Sequence, residues 1–166
     1  MTVDAIVVAI TAIEEHHLAQ LVDEFLELIG ASRDLADPAI ARLTPNPYPD
    51  DADAAGDFAD ATRDDLLDRR LSDARRVRAS LGDLDHDSES FAGGTLSPKE
   101  LVVPVELVDA WLRTLTALRL VIATRLGIVS DEDSGVNGSH DVYDWLGYRL
   151  ELLIQAADEA GTGLIR

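Results

Sequence analysis

Val108, Trp111, Leu115, Leu118 and Ile122 set the terms on which this chain can fold. They recur at spacings of three and four residues, which places them on one helix face. Leu107, Leu112, Val121 and Leu126 fill out the circumference. A helix apolar over so much of its surface has to be central and buried, with other elements around it. Pro104 stands where such a helix can begin, and Gly127 where it can end.

The remaining elements follow from the same kind of pattern. Val3 to Ile10 is rich in Val and Ile and reads as a short strand. Thr11 and Glu14 have the capping-box spacing and open a helix carrying Leu18, Leu21, Val22, Phe25, Leu28 and Ile29 as its apolar stripe. Gly30 stops that helix, and a left-handed conformation is expected there. Glu14, Glu15, Asp23, Glu24 and Glu27 leave the rest of it acidic. Asp37 and Pro38 suit the cap and first position of a short helix ending near Leu43. The three prolines of Thr44 to Asp50 make a rigid, extended loop. Asp51 caps a short helix to about Ala61. Thr62 and Asp65 then repeat the cap spacing, opening a second helix to about Leu81 with Leu67, Leu71, Ala74, Val77 and Leu81 inward. Leu101 to Val103 is a second short strand, able to pair with the first. A last helix runs from about His140 to Ala160, with Val142, Trp145, Leu146, Leu153 and Ala156 inward. Segments 83–97 and 128–139 are polar and read as mobile loops. The fold class is therefore mainly α: a single-domain helical bundle over residues 1–166 with a minor two-stranded β ribbon.

Composition narrows the chemistry. With aromatics at 5%, the core has to be built from Leu, Val, Ile and Ala. No cysteine is present, so there is no disulfide, thiol nucleophile, thiolate-bound zinc or thiol switch. The one lysine, Lys99, follows Pro98 rather than a glycine, so no phosphate-binding P-loop exists. Asp plus Glu number 32 against 14 Lys plus Arg, a formal charge of -18 that works against nucleic acid and anionic membrane as partners. No apolar run reaches the roughly 20 residues of a membrane span. The apolar start carries Asp4 and no basic flank, so no signal peptide is expected and the cytoplasm is the default location.

Several blocks then occur in a telling order. Pro47-Tyr48-Pro49-Asp50-Asp51 leads into an acidic helix. Ala110-Trp111-Leu112-Arg113 continues to Leu118-Arg119-Leu120 and Thr124-Arg125-Leu126-Gly127, and Tyr143-Asp144-Trp145-Leu146 follows. In order and spacing these resemble the actinobacterial domain-of-unknown-function family number twenty-seventeen, over roughly Ile6 to Ala157. The resemblance implies a small, cytosolic, mainly helical protein without an established enzymatic activity. Some members are AosR-type oxidation-sensing transcription regulators tied to sulfur metabolism. Such sensing implies a cysteine pair, which this chain lacks, so only a regulatory role by protein contact carries over. The basic N-terminal stretch frequent in the family is also missing here.

Candidate sites are few. Glu14 and His17 form E-x-x-H, but a di-iron bundle needs two such motifs and further Glu. With His16, they read instead as a cap beside a surface histidine pair. Asp83, Asp85 and Asp87 alternate like the first ligands of a calcium loop, yet Ser88 and Gly94 stand where Gly and Glu are needed. Asp131, Asp133 and Asn137 are equally incomplete. Arg69, Arg70, Arg75, Arg76 and Arg78 supply five of the fourteen bases and could lie on phosphates or on an acidic protein. The spacing of Asp65, Arg69, Asp73 and Arg76 predicts a salt-bridged solvent stripe instead. Arg70, Arg75 and Arg78 then either pair with Asp23, Glu24 and Glu27 or remain free for a partner. Arg113, Arg119 and Arg125 step around the central helix, with Asp109 and Asp144 as possible partners. Tyr143 and Trp145 read as core. Tyr48 either packs down or stands as an exposed anchor.

No nucleophile elbow, nucleotide fingerprint or histidine-centred triad is present, so no catalytic residue, cofactor or metal ligand is assigned. These observations point to a non-enzymatic regulatory or adaptor protein working through an unknown protein partner, with a homo-oligomer also open. Arg69, Arg70, Arg75, Arg76, Arg78 and Tyr48 are its expected contact residues. A DNA-binding transcription regulator is the alternative, and a metal-binding protein or enzyme ranks third.

Overall fold

The computed structural model describes residues 5–82, 98–128 and 141–163. Strand β1 (Ala5–Thr11) runs straight into helix α1 (Ala12–Ile29). Helices α2 (Pro38–Leu43) and α3 (Ala52–Ser80) follow, then strand β2 (Pro98–Pro104), α4 (Val105–Leu126) and α5 (Asp141–Gly163). The expected fold class holds: the chain is mainly helical, with a small two-stranded antiparallel sheet. The loops expected at 83–97 and past Ile128, and with them Asp83, Asp85 and Asp87 and the set Asp131, Asp133 and Asn137, lie outside the described residues.

The two strands pair antiparallel from Ala5 opposite Pro104 to Thr11 opposite Pro98. Alternation sends Ile6, Ile10, Leu101 and Val103 into the core, and leaves Val7 and Val102 opposed on the outer face, each 53% exposed. Helix α4 lies at the centre, against α1, α2, α3, α5 and β2. Its Val108, Trp111, Leu115 and Leu118 are buried with Leu18, Val22, Phe25 and Ile29 of α1, Leu67, Ala74 and Val77 of α3, and Leu146 and Leu153 of α5. Trp111 is 3% exposed, and its indole Nε1 donates to Ser80 Oγ at 3.2 Å. Tyr143 belongs to a smaller cluster with Ala123 and Ile128.

Three local expectations are corrected. Residues 52–80 form one helix, with no break at Thr62. The Thr62 hydroxyl donates back to the Phe58 carbonyl at 2.7 Å, so it serves the turn before it and caps nothing. Gly30 ends α1 in an extended conformation, φ -69° and ψ -162°, rather than a left-handed one. Its need for glycine is space, because a Cβ there would lie 2.8 Å from the Leu26 carbonyl oxygen. The left-handed cap is Gly127, at φ 72°, closing α4. Val142, expected inside, is 43% exposed in the first turn of α5.

Candidate functional site: an arginine-lined groove between two helices

Helix α3 packs on α1 and α4, so its arginines look in different directions. At about 100° per residue, Arg69 and Arg76 share one side while Arg70, Arg78 and Arg75 step round the helix. The single basic face expected from their closeness in sequence does not form. Arg78 Nε donates to Asp23 Oδ1 on α1 at 2.8 Å, one of the internal pairs expected. Arg70 Nη2 instead reaches the carbonyl oxygen of Leu43, at the end of α2, at 3.2 Å. Arg76 Nη2 lies 3.4 Å from the Glu106 carbonyl oxygen, and its Nη1 is 4.0 Å from Asp73. Arg69 and Arg75 are exposed and have no ion-pair or hydrogen-bond partner among the described residues.

Asp73 is taken from the other side. Arg113 of α4 donates Nε to Asp73 Oδ2 at 2.8 Å, so the expected partner Asp109 is not used and the Asp65–Arg69 step of the stripe does not close. Arg113 thereby joins Arg69 and Arg70 around an open groove of about 690 Å³ between α3 and α4, with Leu66, Leu112 and Asp73. Among the described residues, three guanidinium groups line it and Asp73 is its one carboxylate. Arg70 is half-buried, and burial pulls its pKa below the ordinary arginine value, opposed by the charge of Asp73. It remains a cation, as arginine does throughout the physiological range. Its Nε is buried without an acceptor among the described residues, and a charged donor left unmet in the interior is costly. The groove therefore offers donors and positive charge over an apolar wall, which suits binding.

The E-x-x-H pair does different work. Glu14 Oε2 accepts from the Thr11 N–H at 2.9 Å, and Thr11 Oγ1 accepts from the Glu14 N–H at 3.3 Å, completing the capping box. Glu14 Oε1 accepts from Trp145 Nε1 at 2.8 Å and from Arg149 Nη2 at 2.5 Å, both on α5. Burial alone would raise this carboxyl, but the Arg149, Thr11 and Trp145 hydrogen bonds outweigh it and hold its pKa at about 2. Both oxygens are occupied, and His17 is exposed. Arg125 makes a bidentate pair with Asp37, at 2.9 and 2.7 Å, which holds that carboxyl below its ordinary value together with the Ala39 N–H. Arg119 stacks on Tyr143 with its guanidinium carbon 4.1 Å from the ring centre. Tyr48 is exposed and leans edge-on against Phe58, ring centres 6.0 Å apart.

The profile of one family, Domain of unknown function (DUF2017), matches residues 1–157. The chain belongs to the DUF2017 family. No curated protein and no solved structure matches it. Within this DUF2017 chain, the groove joins residues the sequence kept apart. Arg113 is 40 positions from its partner Asp73, and no local spacing links them. The clue that existed was the heptad-like step of Leu66, Arg69, Arg70 and Asp73 on a helix whose other side is core. The tie from Glu14 to Trp145 and Arg149 had no such clue, since it spans more than 130 residues.

Proposed function

We propose that this DUF2017 chain is a non-enzymatic regulatory or adaptor protein, working in the cytoplasm of an actinobacterium through contact with another protein. The observation that carries this is the α3–α4 groove. On a chain of charge -18, Arg69, Arg70 and Arg113 gather at one opening, and Arg69 has no partner among the described residues. An acidic segment of a partner fits that opening by charge. The dispersal of the α3 arginines favours protein contact over DNA, because a recognition helix needs its bases on one side. AosR-type relatives supply the regulatory precedent, with the thiol switch left out for want of cysteine. No helix among the described residues is long and apolar enough to cross a membrane.

The test is comparative capture from native lysate. Wild type and an Arg69→Glu, Arg113→Glu variant serve as baits, after circular dichroism shows both folded. The variant should lose the proteins that wild type retains. Identical sets of captured proteins would overturn the proposal, and a salt-sensitive shift of DNA by wild type would favour the alternative.

A further inference from the structure

We propose that the α3–α4 groove is an oxyanion site, in which Arg69, Arg70 and Arg113 hold a carboxylate- or phosphate-type group. The inference deepens the adaptor proposal and rests on it for the groove being the contact face. Guanidinium forks match planar or tetrahedral oxyanions and bind them through paired, charge-assisted hydrogen bonds. Arg113 already holds a carboxylate by one charge-assisted bond, from Nε to Asp73 Oδ2 at 2.8 Å, while its side chain stays 59% exposed. Arg70 brings a buried Nε–H that no acceptor meets among the described residues. Arg69 brings a guanidinium with no partner among the described residues. Leu66 and Leu112 complete the wall, and an apolar wall strengthens the attraction between guanidinium and anion. The rest of this strongly acidic chain repels anions, so an anion is directed to the place where three positive groups meet one negative group.

Asp73 makes the proposal specific. It is the internal carboxylate that competes for Arg113, so its removal should tighten binding while removal of any of the three arginines weakens it. A general effect of surface charge would treat Arg75 the same way, although Arg75 lies outside the groove.

The experiment is an NMR titration of the full chain, following arginine Nε–Hε resonances. One arm adds inorganic phosphate, the other a blocked tetraglutamate peptide, each at low and moderate chloride. Saturable shifts at Arg69, Arg70 and Arg113, and not at Arg75, are expected in at least one arm. Arg70→Gln should weaken that binding roughly tenfold or more, the size of a lost charge-assisted hydrogen bond. Asp73→Asn should strengthen it, and Arg75→Gln should leave it unchanged. Saturation by phosphate alone assigns a phosphate-type ligand, and saturation by the peptide alone assigns an acidic segment. Linear shifts without saturation in both arms, or saturation that a folded Arg70→Gln chain retains in full, would overturn the site. If both probes fail while the Arg69→Glu, Arg113→Glu bait still loses its partner, the oxyanion assignment falls and the adaptor role stands. If the probes bind in the groove while that bait keeps every partner, the assignment stands and the adaptor role falls.

Discussion

Glu14 ties the start of α1 to α5. It satisfies the start of α1 and accepts two hydrogen bonds from α5 with the same carboxylate. Its pKa is about 2 in the folded chain against an ordinary 4.5, so as pH falls the unfolded chain takes up the proton first. The stabilisation is therefore complete above about pH 4.5 and is lost as pH falls toward 2. Allowing for solvent screening, it amounts to about 1–2 kcal/mol. Glu14→Gln should cost that much at pH 7 and flatten the acid limb of stability against pH, as urea unfolding at a series of pH values would measure. An acid limb as steep as that of wild type would show that other groups control it. Trp111 acts through packing instead. Trp111→Ala should cost about 3–5 kcal/mol, since it empties a large site in the central helix and removes the bond that the indole donates to Ser80. An unchanged denaturation midpoint would count against that placement.

Among the elements, α3 is where sequence and structure part company. The capping box at Thr11 was legible because both of its members lie within four residues. The same spacing at Thr62 misled, because a hydroxyl in mid-helix can turn back to the preceding carbonyl when the chain before it is already helical. From Ala52 to Leu66 no residue of α3 is fully buried, so this part of the helix depends on local propensity. Gly56 lies within it with open space where a Cβ would go. Gly56→Ala should therefore slow amide exchange over residues 54–62 about two- to fivefold, the usual gain of alanine over glycine in a helix. No change in exchange would place the break near Thr62 after all. The core was legible for a related reason: burial of Leu18, Val22, Phe25, Val108, Trp111 and Leu115 repeats at helical spacing, and spacing is visible in one sequence. The groove was only half legible. Proximity along the chain grouped five arginines of α3, whereas the fold sends Arg70, Arg76 and Arg78 to three different neighbours and brings in Arg113 from α4.

Over the whole molecule, the few bases act as ties between distant carboxylates. Arg33 meets Asp68, Arg78 meets Asp23, Arg113 meets Asp73, Arg125 meets Asp37 and Arg149 meets Glu14. Each pair joins segments that are far apart in sequence, and each removes one negative charge from a surface that has many. One such tie also orders events during protein synthesis. Arg149 Nη1 donates to the Ala9 carbonyl at 2.6 Å, and Ala9 lies on the strand whose partner begins at Pro98. After that strand a ribosome adds about 90 residues before the pairing partner exists. It adds some 45 more before the arginine that meets the Ala9 carbonyl. Strand β1 thus leaves the exit tunnel without these two later neighbours, and its backbone stays open to chaperones and proteases until Arg149 has followed.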